Sequence, residues 1–209
     1  MTDKQEDLLN LSVRDFIAAA AAKTPTPGGG SVAGVVAALA VALGEMALNF
    51  TRGKKKYAEH EEFHARLSGR LAKARRMFED LVADDVAAYQ LYQESMRHDD
   101  GPEKTQAVEL ATAAAIDVPR EMTKLCLAVL ADLRELLDKC NSWLISDLVA
   151  AAALAVAAMR LSDYNVRINV PNLSDKAVAA EMHASSAADL ARGVDIFEAI
   201  EAAAKEHLP

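Results

Sequence analysis

Apolar residues recur along this chain at spacings of three and four, and no run of alternating β-branched residues appears. That period predicts helices and argues against strands. Residues 8–22 read as a short amphipathic helix anchored by Leu11, Phe16 and Ile17, with Ser12 as its cap. A second helix runs from Ser31 to about Arg52, apolar on almost every face, and Gly53 stops it. A third spans about 59–98. Its one glycine, Gly69, is tolerable at a cost of ~1 kcal/mol. Asp99, Asp100, Gly101 and Pro102 break the pattern. Residues 103–115 and 119–139 are helical pieces, with Pro119 starting or kinking the second. Residues 142–164 are again Ala-rich and apolar. Residues 165–175 read as a polar connector, and Ser174 or Asp175 caps a last helix reaching about His207. No linker or internal repeat interrupts residues 1–209. The pattern therefore predicts one all-α domain, a single helical bundle.

Helices apolar on every face are buried in a large core or at a subunit interface. One chain of 209 residues has difficulty covering two of them, 31–52 and 142–164, on all sides. A homodimer is the expected solution. A membrane span is the competing reading of 32–50, which is nearly the ~20 residues a bilayer requires and is followed by basic residues. Glu45, Asn49 and the run's dependence on Ala and Gly favour a buried helix, so no membrane is expected.

Composition sharpens this picture. Hydrophobic residues make up 52% but aromatics only 5%, because alanine dominates, which suits closely packed helices. The net charge of −8 argues against nucleic acid as a partner for the surface as a whole. Cys126 and Cys140 lie in no metal or redox spacing. The N-terminus MTDKQEDLLN lacks the features of a secretory signal, so a cytoplasmic location is expected.

The candidate chemistry gathers in four places. The first is Pro25 to Ser31, where prolines lead into glycines at a helix start. Ser31 is a plausible N-cap, and the N–H groups of Gly29 and Gly30 can face an anion. The second is a basic patch, Arg52 to Lys56, closed by Tyr57; alone, it reads more readily as a solvated helix end. The third is Asp85, which falls on one stripe with Phe78, Leu81, Ala88, Tyr89, Tyr92 and Met96. A carboxylate on a buried face is costly unless paired or functional, and its pKa tends upward, as suits a proton carrier. Asp84 is turned away toward solvent. The fourth is Asp147 with Asn141, Asn165 and Asn169. Asp147 reads equally as a first-turn residue offsetting the helix dipole, and the amides equally as turn chemistry. His60-Glu61-Glu62-Phe63-His64 matches the H-E-x-x-H zinc pattern, but its setting is highly polar and its third ligand is only a guess, Glu79 or Glu94. It reads as an exposed helix surface, and no metal is expected.

Several of these pieces occur in an order that resembles the cyclodeaminase/cyclohydrolase family: the cyclodeaminase half of formiminotransferase-cyclodeaminase and stand-alone methenyltetrahydrofolate cyclohydrolases. They are PTPGGGS at 25–31, T-x-GKKKY at 51–57, ADDVAAY at 83–89, DVP at 117–119, N-x4-SD at 141–147 and NV-x2-N at 165–169. The resemblance implies an all-α dimer acting on a one-carbon unit held by tetrahydrofolate nitrogens. It implies that Asp85 is the catalytic carboxylate, with Asp147 assisting. Gly29, Gly30, Ser31, Lys54, Lys55, Tyr57, Asn141, Asn165 and Asn169 are the implied substrate-binding residues. The folate derivative is substrate, and no separate cofactor is expected. The chain departs from the family pattern at Cys140, Trp143 and Arg120, which bears on substrate choice. A stand-alone chain favours hydrolysis of 5,10-methenyltetrahydrofolate to 10-formyltetrahydrofolate. Ammonia-releasing cyclodeamination of 5-formiminotetrahydrofolate is the alternative, and a non-catalytic dimerisation module of the same fold is a third.

Overall fold

A computed structural model describes residues 7–206; the polar residues 1–6 and the expected helix end at His207 lie outside them. The described residues form six α-helices and no strand: α1 (Val13–Ala21), α2 (Gly29–Asn49), α3 (Glu61–Ser95), α4 (Pro102–Leu137), α5 (Ile145–Asn169) and α6 (Lys176–Ala204). Helices α2, α3, α4 and α5 make a four-helix core, and α6 lies along the α4/α5 edge. Neighbours around the core are antiparallel. Arg75 of α3 meets Glu45 late in α2 at 2.8 Å, whereas Asp85, further along α3, meets Ser31 at the start of α2.

Small residues set how closely these helices approach. A Cβ at Gly34 would stand 2.6 Å from Val82 Cγ2, so only glycine lets α2 and α3 touch there. Ala33, Ala37, Val41, Leu71, Leu130, Leu133, Leu136 and Leu148 are completely buried. Each buried leucine or valine contributes roughly 1.5–3 kcal/mol of transfer free energy. Helix α2 and the segment 142–172 are long and apolar enough to cross a membrane by length and composition. In the fold both are core helices of the bundle.

The structure corrects several sequence-based expectations. Residues 8–22 are not one helix. A 3-10 turn, Leu8–Asn10, precedes α1, and Ser12 caps α1 by accepting the Asp15 N–H at 3.1 Å. Leu11, Phe16 and Ile17 anchor nothing in the core: α1 buries no residue and Ile17 is 63% exposed. The four core helices close the interior without α1, so the periodicity reported an amphipathic helix but not what covers it.

Helix α2 begins at Gly29 with Gly28 as N-cap, so Ser31 is not the cap. The two pieces expected around Pro119 are one helix, α4. Proline removes the N–H that Ala115 O would otherwise accept. The Asn169 amide donates to that oxygen instead, at 3.5 Å. The expected connector is helical as far as Asn169, because Val166 and Val170 are buried against Ile116, Leu173 and Ala179. Asp175 caps α6, accepting from Ala177 and Val178 N–H at 2.8 and 3.1 Å. His64 is fully buried, not surface as expected, with Nε2 3.0 Å from Lys139 O. Among the described residues no group of three or more His, Cys, Asp or Glu side chains is placed to hold a metal ion.

Candidate functional site

Helix α2 opens with Gly29, Gly30 and Ser31, whose N–H groups have no acceptor within the helix. Asp85 of α3 fills that position. Ser31 Oγ donates to Asp85 Oδ2 at 2.7 Å, and the Ser31 backbone N–H also donates to the carboxylate. The helix N-terminus expected to receive a substrate anion is thus met by the chain's own carboxylate. Gly30 makes this possible, since a Cβ there would overlap Asp85 Oδ1 and Cγ. Burial pushes the Asp85 carboxyl above its ordinary pKa; the two hydrogen bonds from Ser31 pull the other way without cancelling it. As expected, Asp84 is exposed.

Asp85 lines a cavity of about 260 Å³ together with Tyr89, Tyr92, Val118, Asn165 and Asn169. Asn165 reaches it because α5 is antiparallel to α2 and ends beside Gly29. The Asn165 amide nitrogen donates to Leu161 O at 2.9 Å, and that of Asn169 donates to Asn165 O at 2.8 Å. Both amides retain their oxygens, which accept hydrogen bonds, and Asn165 also retains its second N–H. A heterocycle bearing N–H donors suits them. Tyr89 and Tyr92 belonged to the Asp85 stripe in the sequence but were not among the expected site residues. Asn172, in the 3-10 turn Val170–Asn172, also lines the cavity and had no sequence signal beyond its polar type.

The other expected residues lie at the opposite end of the bundle. Helix α2 has 21 residues and is therefore about 30 Å long. Beyond its C-terminus, Gly53 takes a left-handed turn with φ 72° and leads to Lys54 and Lys55, both exposed. Neither lysine forms an ion pair among the described residues. The acidic residues that follow pair elsewhere, Glu61 with Arg52 at 3.7 Å and Glu62 with Arg66 at 2.9 Å. Tyr57 is half-buried, with Lys56 Nζ 5.2 Å from its ring centre. Asp147 sits in the first turn of α5, and among the described residues its carboxylate has no hydrogen-bond or ion-pair partner. Asp85, Ser31, Gly29, Gly30, Asn165 and Asn169 thus converge at one end of the bundle. Lys54, Lys55, Tyr57, Asn141 and Asp147 form a second group at the far end.

Asn141 anchors that far end. Its backbone N–H donates to Thr51 Oγ1 at 2.9 Å, and its amide donates to Phe50 O at 3.4 Å. The Thr51 hydroxyl in turn donates to Ala47 O at 2.7 Å. Cys140 lies beside it, 3.5 Å from Thr51 Oγ1, with its thiol pKa raised by burial. Thr51→Val leaves the Asn141 N–H without its acceptor in a buried place, and is expected to destabilise the fold by about 1–3 kcal/mol. Urea denaturation measures this; a change inside roughly ±0.5 kcal/mol, the range of an ordinary surface substitution, would show that the contact does not matter. Trp143 is 88% exposed, and Arg120 stays near Asp117 at 3.5 Å.

A family model described as Formiminotransferase-cyclodeaminase matches residues 12–188. A methenyltetrahydrofolate cyclohydrolase from Methylorubrum extorquens is 33% identical over 178 residues, covering 82% of this chain and 85% of the relative. A formimidoyltransferase-cyclodeaminase from Mus musculus is 27% identical over 184 residues, and the match spans 86% of this chain but 34% of that longer protein. Among solved structures, a formiminotetrahydrofolate cyclodeaminase from Thermotoga maritima superposes with a TM-score of 0.82 at 29% identity, covering 96% of this chain and 97% of that one.

Proposed function

Because this chain belongs to the formiminotransferase-cyclodeaminase family, we propose that it is a tetrahydrofolate one-carbon enzyme that hydrolyses 5,10-methenyltetrahydrofolate to 10-formyltetrahydrofolate in the cytoplasm. The observation that carries this reading is Asp85, a carboxylate held by Ser31 in a cavity that it shares with the amides of Asn165 and Asn169, its pKa raised by burial. A relative matched over 85% of its own length carries the cyclohydrolase name, and a solved structure matched over 97% of its length carries the cyclodeaminase name.

The chemistry follows from the site. Methenyltetrahydrofolate is a cationic amidinium, so an ionised Asp85 beside it favours binding of the substrate. Asp85 takes one proton from water as the water oxygen bonds to the bridging carbon. The tetrahedral carbon then expels N5. Asp85 returns its proton to N5, and the hydroxyl proton leaves to solvent as the formyl C=O forms. Ser31 holds Oδ2 through this exchange, which fixes the carboxylate's orientation. The amide oxygens of Asn165 and Asn169 accept from pterin N–H groups.

The second group of residues enters through a homodimer. Helices α2 and α5 lie side by side, and on or just beyond them Leu39, Phe50, Tyr164 and Ile168 are 53%, 58%, 67% and 72% exposed, apolar surface that a second copy crossing α2 and α5 would cover. A two-fold axis crossing this face near mid-helix would set the start of α2 in one copy against the end of α2 in the other. The partner's Lys54 and Lys55 would then flank the Asp85 cavity and could meet substrate carboxylates. Mixing inactive Asp85→Asn with impaired Lys54→Ala protein should recover activity through hybrid dimers, which form one intact site. No recovery, or only monomer in sedimentation at micromolar concentration, would refute the shared site.

The test of the function itself is loss of the amidinium absorbance of methenyltetrahydrofolate at neutral pH against the buffer rate. Acceleration abolished by Asp85→Asn supports the reading. No acceleration, with the same absorbance and ammonia appearing from 5-formiminotetrahydrofolate, would make the protein a cyclodeaminase, as the solved relative is named. Silence in both assays from folded protein leaves the non-catalytic module.

A further inference from the structure

The basic segment that follows α2 is a loop whose two ends are both fastened to one short stretch, Lys139 to Asn141. At its start, Asn141 donates its backbone N–H to Thr51 Oγ1 at 2.9 Å and its amide to Phe50 O at 3.4 Å. At its end, one turn into α3, His64 Nε2 meets Lys139 O at 3.0 Å. Between these two fastenings lie Gly53, Lys54 and the 3-10 turn Lys55–His60. A carbonyl only accepts, so Nε2 carries the proton and Nδ1 of the neutral ring is a lone pair. His64 is completely buried. Its Nδ1 has no hydrogen-bond partner among the described residues, and neither has the buried Arg52 Nε. The charged groups around the ring are Arg52 from the turn after α2, Glu61 at the start of its own helix and His60 just before it. From the end of α4, the Lys139 ammonium lies 4.2 Å from the centre of the adjoining Phe63 ring and pairs with Glu135 at 2.9 Å. Glu61 is already paired with Arg52, at 3.7 Å.

We propose that His64 is a positioning residue for the substrate-binding lysines, a clasp that holds the Lys54–Lys55 loop while its ring is neutral and releases it when the ring is protonated. The part played by the lysines rests on the folate reading above; the clasp itself does not. Protonation puts an N–H on Nδ1, which faces no acceptor, and a second positive charge beside Arg52. An unpaired buried donor and two neighbouring cations both oppose the charged ring. Burial accordingly holds the His64 pKa below the ordinary histidine value; Arg52 and His60 add to the effect, while Lys139 O and Glu61 oppose it. Well above pH 6.5, that ordinary value, the ring is neutral in the folded and the unfolded chain alike. As pH falls below 6.5 the unfolded chain takes up the proton first. Stability is then lost until the lower, folded-state pKa has been passed. Thr51 and Asn141, the other members of the clasp, do not titrate, and burial keeps Cys140 a thiol by raising its pKa. His64 is therefore the point at which pH acts on the loop.

The test follows the His64 ring by NMR in ligand-free protein across about pH 8 to pH 5, the range in which histidine changes charge, together with the protection of the Asn141 amide from hydrogen exchange. The ring should show the Nε2–H tautomer and titrate below the ordinary histidine value, and Asn141 protection should fall with the same midpoint. His64→Gln keeps an amide N–H at the reach of Nε2 but takes no charge, so Asn141 should stay protected throughout. In turnover, KM of the parent for methenyltetrahydrofolate should rise below the His64 midpoint, by up to about tenfold per pH unit, the limit when only the neutral form binds. KM of His64→Gln should stay flat, while both proteins keep the Asp85 limb in kcat. A ring that titrates at the ordinary value, or Asn141 protection that does not follow it, overturns the clasp; both are read on the parent, whether or not His64→Gln folds. A clasp transition with a flat KM overturns the positioning role and leaves the methenyltetrahydrofolate reading standing, since turnover is still seen. Absence of turnover overturns that reading instead, and the ligand-free transition still decides the clasp.

Discussion

Asp85→Asn lowers the rate of methenyltetrahydrofolate hydrolysis by about 10²–10⁴-fold, the usual range for removing a general base. Asparagine is nearly isosteric and can still accept the Ser31 hydroxyl, but it carries no charge and takes no proton. The loss should fall mainly on kcat. In the unaltered enzyme the acidic limb of the pH–rate profile should lie above the pKa of a free aspartate, because burial raises that of Asp85. Stability moves the other way. A raised folded-state pKa means that the fold disfavours the ionised form. At neutral pH the charged Asp85 therefore subtracts from stability; the subtraction shrinks as pH falls below the raised value and is gone below the pKa of a free aspartate. Asp85→Asn should consequently melt no lower than the parent at pH 7, which separates lost catalysis from lost structure. Full activity in the asparagine variant would remove Asp85 from the mechanism.

Gly30→Ala lowers kcat by about 10²-fold, the scale of a misplacement near 1 Å in a catalytic group. The added Cβ would overlap Asp85 Oδ1. The carboxylate has to swing away, breaking its hydrogen bond from Ser31 and losing its aim into the cavity. Alanine is the better helix former by ~1 kcal/mol, so an intact melting temperature with poor activity is the diagnostic combination. Gly69→Ala provides the control. Gly69 lies on α3 with nothing within 4 Å of its added Cβ, so that change should leave kcat alone and not reduce stability. Near-normal activity in Gly30→Ala would mean that the Asp85 position tolerates displacement, and the contact between α2 and α3 would lose its catalytic meaning.

Particular residues show how far the sequence could be read. Asp85 was identifiable because a carboxylate on an apolar helical stripe is costly, and the same stripe held Tyr89 and Tyr92. The family was identifiable from ordered short motifs. His64 was misread as surface because its neighbours in sequence are charged. Its burial depends on the Lys139 carbonyl, 75 positions away. The helical course of α5 through Asn169 was masked by polar residues, although Val166 and Val170 carried the pattern that buries it. Ser31 was assigned a cap's role on local propensity. Its hydroxyl instead serves a residue 54 positions distant, which no local rule encodes.

The sequence by itself determined the helical class, the apolar character of α2 and α5, and the residue types from which a folate-directed site could be built. The first two are properties of periodicity and composition, the last of short motifs that resemble a family's, and all are local. Tertiary structure alone decided which of those residues share a space. The antiparallel run of α2, α3 and α5 carries Asn165 and Asn169 to Asp85, and carries Lys54, Asn141 and Asp147 to the other end of a helix about 30 Å long. Spacing along a chain fixes the face of a helix on which a residue lies. Only packing fixes what that face meets.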